Sequence, residues 1–241
     1  MKYVTYDQAR KLLIKRNHSL SLGGNNMKTK QAGFTLVEIA IVLVIIGLLL
    51  GGILKGQEMI IQAKVKNSIT DFSGVSAAYY GYQDRYRATP GDDKDATTRW
   101  ATPTPAAVSG NGDRVLTGLY NASTGESAQW WDHLRRSGFV TGSGILNPRN
   151  SFNGILGVQQ GDGLNPQAAG VLGGFTNLFL CSTNLPDKVA IALDVQMDDG
   201  QPGSGAVRGM VQPTSTDPTI GAVASNYVET GTSVYTLCRQ F

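Results

Sequence analysis

Histidine and cysteine are scarce in this chain: two of each in 241 residues. That scarcity leaves no Cys/His cluster with metal-ligand spacing. Nor is there a phosphate-cradling glycine loop before a helix, or a convincing nucleophile–base arrangement. The pattern argues against an enzyme. Charge is sparse as well, at 16% of residues. Residues 1–33 hold seven of the 21 basic residues and one of the 18 acidic ones, a local net of +6. The remaining 14 basic and 17 acidic residues give −3, so the formal +3 hides an acidic body with no basic face for nucleic acid. Proline is missing from the first 89 residues; all nine follow Thr89. Nothing of that kind interrupts a helix before Pro90.

Apolar residues are plentiful and concentrated. From Phe34 to Leu54 there are 21 residues and a single charge, Glu38. A helix of that length is roughly 30 Å long, the thickness of a bilayer core. A secretory signal peptide fits poorly, because its small cleavage-site residue follows a shorter apolar stretch. Here Gly33 precedes the run, so a cut there leaves the run on the mature protein. A carboxylate within a bilayer costs a few kcal/mol or more and is usually kept for a purpose. Two readings are open from the residues alone: Glu38 snorkels to the headgroups, or it pairs with a neighbouring subunit's N-terminal amine and fixes an axial register. Gly47 and Gly51 form a small-xxx-small spacing that permits close helix approach. Incidental glycine in a membrane helix gives the same letters.

Gly33-Phe34-Thr35-Leu36-Val37-Glu38 closely resembles the cleavage and methylation motif of type IV prepilins and type II secretion pseudopilins. The resemblance covers about residues 28–56. It implies a membrane-embedded prepilin peptidase cutting between Gly33 and Phe34, N-methylation of Phe34, and Glu38 as the register carboxylate of a filament. It also implies an inner-membrane assembly platform and other pilin-like subunits as partners. The expected place is the bacterial inner membrane, single-pass, with the C-terminal domain outside the cytoplasm, and then a pilus or periplasmic filament. Leaders in the family are commonly short, whereas 33 residues precede the cut here. Met27 would give the seven-residue leader MKTKQAG. Gly23-Gly24 codons can form a ribosome-binding sequence at a suitable distance, so translation is expected to start at Met27.

Beyond Lys55, Ile61, Val65, Ile69, Phe72, Val75, Tyr79 and Tyr82 recur at steps of three and four, one face of a continuing helix. One helix is expected from Phe34 to about Arg87, roughly 80 Å by helical rise. The cluster of Tyr79, Tyr80, Tyr82 and Tyr86 is expected to pack where that helix meets the domain. Residues 88–125 read as a long loop; its Pro90-Gly91-Asp92-Asp93 turn looks like loops of some large pilin-like proteins. Ser123-Thr124-Gly125-Glu126 has capping-box spacing before a helix over Glu126–Arg136. Strand-like runs lie near Ile155–Val158, Thr176–Cys181, Ala206–Val211 and Tyr235–Phe241. A helix over Leu185–Asp198, with Pro186 in its first turn, ends at Gly200. The expected fold is α+β and pilin-like: a long helix, apolar then amphipathic, on a small mainly antiparallel sheet with short extra helices.

The divisions are 1–33 as leader, 34–56 as membrane and filament-core helix, 57–88 as amphipathic helix, and 89–241 as globular domain. Cys181 and Cys238, in an exported domain, are expected to form one disulfide. By the loop-entropy model it contributes roughly 4 kcal/mol. Asp194, Asp198 and Asp199 oppose the helix dipole at a C-terminus, which a calcium ion would relieve. Some secretion pseudopilins bind calcium in a C-terminal loop, a resemblance in kind. A solvated acidic loop is the alternative, and the same choice holds for Asp92, Asp93 and Asp95. No other cofactor is expected. The function read from the sequence is a structural subunit of a type IV pilus or type II secretion-like filament. Two rivals are an unprocessed, membrane-anchored binding domain and an anchored surface enzyme.

Overall fold

The computed structural model describes residues 33–102, 105–161, 175–212 and 226–241. The leader and the Met27 start lie outside the described residues. Helix α1 runs Leu36–Tyr86, 51 residues without a break. It stops where Arg87 takes a left-handed φ of 56° and donates its N–H to Gln83 O at 2.8 Å. That is a common helix ending, and Pro90 follows shortly after. By contacts the chain divides into two compact units, one to Gly51 and one from Gly52.

In the first unit the apolar side chains of α1 are exposed. Leu36, Val42, Leu43, Leu48 and Leu50 are all at least 49% accessible. In the second unit Val65, Ser68, Phe72, Val75, Ala78 and Tyr82 are buried, at the expected steps of three and four. Ile61, counted in that stripe from sequence, is exposed at 40%; burial starts one turn later, at Val65.

The rest of the second unit is built from short elements: α2 (Ala96–Arg99), α3 (Glu126–Arg136), β1 (Leu156–Gln160), β2 (Leu178–Pro186), α4 (Asp187–Met197), β3 (Val207–Val211) and β4 (Val234–Gln240). The four strands form an antiparallel sheet in the order β1-β2-β4-β3. The arrangement is therefore α+β and pilin-like, as expected. β2 is central and buried on both faces, which suits its apolar run. Leu178 and Leu180 join a core made with Phe72, Tyr82, Trp130, Trp131, Leu134 and Leu193. Phe179 and Cys181 face a smaller cluster with Tyr120, Phe175, Met210 and Cys238. Three of the four tyrosines pack as expected: Tyr79 lies 5.0 Å from the Phe241 ring and Tyr82 lies 4.6 Å from Tyr86, whereas Tyr80 is 53% exposed.

Two local expectations need correction. β2 extends to Pro186, through a register shift between Ser182 and Leu185 with Asn184 at φ 60°. The helix after it therefore starts at Asp187 instead of Leu185, with Pro186 as its extended N-cap. At α3 the N-cap is Gly125, without a side-chain hydrogen bond, so Ser123 forms no capping box with Glu126. The Glu126 carboxylate instead accepts hydrogen bonds from the Asn111 and Thr117 N–H groups, at 3.2 and 2.8 Å. Glu126 ties the preceding loop to the first turn of α3.

Candidate functional site

The candidate site is the start of α1. Thr35 stands just before the helix and Glu38 is its third residue. Thr35 N–H and Oγ1 both donate to Glu38 Oε2 at 2.8 Å, and Glu38 N–H donates back to Thr35 Oγ1 at 3.3 Å. This is a reciprocal capping box: threonine and glutamate each satisfy a backbone N–H that the first turn cannot pair. The carboxylate also sits at the positive end of the helix dipole. The signal was present in the sequence as Thr-x-x-Glu before an apolar run; attention to Glu38 as an intermolecular group hid its local task. Glu38 Oε1 has no partner among the described residues.

Gly33 and Phe34 precede the helix and are exposed. A Cβ at Gly33, Gly47, Gly51 or Gly52 would meet no other atom within 4 Å. Nothing among the described residues demands glycine there. The 18-residue apolar window of α1 is wholly unburied, and by length and composition this is the one helix among the described residues able to cross a membrane.

At the other end of α1 a buried polar knot fastens the helix to the loop after it. Tyr82 OH donates to Asp93 Oδ2 at 2.6 Å, the Asp95 N–H donates to Oδ1 at 2.9 Å, and Arg99 pairs with the same carboxylate. Asp92 accepts from the Gly112 and Arg114 N–H groups, each at 2.6 Å. Gly91 N–H donates to His133 Nδ1 at 2.8 Å, so Nε2 carries the proton and donates to Val108 O at 2.9 Å. Gly91 has φ 82°, and a Cβ there would strike the Glu126 carbonyl and Leu116, so only glycine fits. Burial raises the Asp93 pKa, but the hydrogen bonds from Tyr82, Arg99 and Asp95 outweigh it and hold the carboxyl below its usual range. Burial pushes His133 down, only partly offset by its bond to Val108. Asp92 and Asp93 are thus structural acids with protein donors, which the sequence reading did not foresee; Asp95 is exposed.

The Asp194, Asp198 and Asp199 side chains come together, each with a ligand-type atom within 4.8 Å of the others. All three accept hydrogen bonds from the protein. Asp194 takes Gly200 N–H at 3.1 Å and the Tyr227 hydroxyl at 2.5 Å. Asp198 takes Val207 N–H at 2.8 Å. Asp199 takes Gln201 N–H at 2.8 Å and the Ser204 hydroxyl at 2.6 Å. The loop after α4 is thereby folded onto β3. Burial raises the Asp194 pKa, with Asp198 and Asp199 adding repulsion, and the Tyr227 and Gly200 donors offset this in part.

Cys181 and Cys238 form a disulfide at directly paired positions of β2 and β4. His133 has both nitrogens committed to structural hydrogen bonds, which leaves it no role as an open base.

No curated protein and no solved structure matches the chain. Over residues 28–54 the sequence matches the family description "Prokaryotic N-terminal methylation motif". The matched stretch contains Gly33, Phe34, Thr35 and Glu38 and the apolar half-helix that buries nothing in the single chain. The chain therefore carries the signal of a type IV prepilin-like precursor, and that signal points to a membrane-anchored structural protein.

Proposed function

We propose that the protein is a structural subunit of a type IV pilus or type II secretion-like filament. A prepilin peptidase cuts between Gly33 and Phe34, the new Phe34 amine is N-methylated, and residues 1–33 stay behind. The subunit waits in the inner membrane with residues 57–241 outside the cytoplasm. On assembly, residues 34–56 leave lipid for a bundle of sister helices, together with other pilin-like subunits at an inner-membrane platform. The reading is carried by one observation: the matched motif opens a helix whose apolar first half is unburied in the isolated chain.

The local geometry supports a division of labour in the Glu38 carboxylate. Oε2 caps its own helix. Oε1 is left for the amine of a neighbouring Phe34, so the charge sets register while apolar contact supplies attraction. Gly47 and Gly51 then serve close approach between helices, since no internal contact requires them. Glu38→Ala should leave protein in the membrane and strongly reduce filaments carrying it, as seen by immunogold microscopy of sheared fibres. Filaments of unchanged number and composition would overturn the register role.

The cofactor part of the proposal is one structural calcium at Asp194, Asp198 and Asp199. Calcium after EDTA should raise the melting temperature by a few degrees, which corresponds to roughly 1 kcal/mol for a domain of this size. An unchanged melt removes calcium from the account.

A further inference from the structure

Consecutive arginines on α3, Arg135 and Arg136, line a cavity of about 460 Å³ with Trp100, Pro105, Asp132 and the loop Gly142-Ser143-Gly144. Both side chains are held in place. Arg135 Nη1 donates to Gly144 O at 2.6 Å, and its guanidinium lies 6.0 Å from the Trp131 ring centre. Arg136 Nη2 donates to Pro105 O at 2.7 Å, and its Nε pairs with Asp132 at 2.6 Å. These bonds do not use all the donors. Two guanidiniums face one carboxylate, Asp132, already taken by Arg136, so the recess carries unbalanced positive charge.

We propose that this cavity binds a small carboxylic acid with a flat apolar body. The planar guanidinium fork matches a carboxylate in geometry as well as in charge. The volume falls within the range of small-molecule sites, roughly 300–1,000 Å³. The Trp100 indole and the Pro105 ring supply apolar walls for the body of the acid. The arginines are fixed before the ligand arrives, so little side-chain freedom is lost on binding. The surrounding domain is acidic overall, which makes a net-positive recess a local exception rather than part of a basic face.

Benzoate is the probe. Equilibrium dialysis of labelled benzoate against the full-length protein in nonionic detergent should show saturable binding at one site per chain. Benzyl alcohol, which keeps the ring and lacks the charge, should not compete; inorganic phosphate, which keeps the charge and lacks the ring, should compete poorly. Arg135→Gln should weaken binding roughly tenfold or more, as loss of a charged hydrogen bond does. Ser143→Glu places a carboxylate at the exposed rim of the cavity and should abolish binding without lowering the melting temperature. That second variant keeps the test valid if Arg135→Gln unfolds. No saturable benzoate binding overturns the proposal, as does equal competition by benzyl alcohol or by phosphate, or full binding by folded Ser143→Glu.

Discussion

At the scale of single residues, the ionisable groups that matter most are the ones without freedom. His133 is neutral in the fold because burial disfavours its charged form and its Nδ1 accepts the Gly91 N–H. The unfolded chain takes up that proton at about pH 6.5. The native chain resists it until a lower pH, so the contribution of His133 is complete above about pH 6.5 and fades as pH falls below it. Asp93 has its folded pKa lowered, so its contribution is present above about pH 4, the unfolded value, and is lost as pH falls through the folded value. Asp194 runs the other way, because its folded pKa is raised. Melting temperature should be level between pH 7 and 8, decline below about 6.5 and fall more steeply below about 4. A His133 imidazole already protonated at pH 6.5 by NMR, with a level melting curve down to pH 5, would contradict this.

At the scale of elements, the sequence was clear wherever one element decides its own state. α1 was legible because a proline-free stretch of apolar and then amphipathic residues favours only a helix. α3 and strands β1, β3 and β4 were legible from periodicity and from glycine and proline punctuation. What escaped depends on partners remote in sequence. Asp92 looked like a loop acid because its donors come from Gly112 and Arg114, 20 and 22 residues on. Glu126 looked like half of a capping box because the loop it holds was not visible. Thr35 and Glu38 were the opposite case: a local pair, legible in principle, overlooked in favour of an intermolecular role. The disulfide is an element-scale clamp, joining paired positions of the central strand β2 and the C-terminal strand β4. Replacing Cys181 and Cys238 together by Ala should cost about 2–5 kcal/mol, measured by denaturant unfolding as a lowered midpoint, with a steeper slope because the unfolded chain without the cross-link exposes more surface. A loss under 1 kcal/mol would mean that the clamp is incidental to the sheet.

At the scale of the whole molecule, the described chain combines a well-buried domain with an apolar half-helix that buries nothing on its own. Exposed apolar surface of that extent calls for lipid or other protein to cover it. Membrane anchoring alone would satisfy it. Processing is what separates a filament subunit from a permanent anchor, since only a cut before Phe34 creates the amine that the proposed register role of Glu38 requires. The decisive measurement is mass spectrometry of the N-terminal peptide of the mature protein from the cells that make it. The account predicts a peptide that begins at Phe34 with one methyl group on its amine. A mature protein that retains the Gly33–Phe34 bond would contradict it.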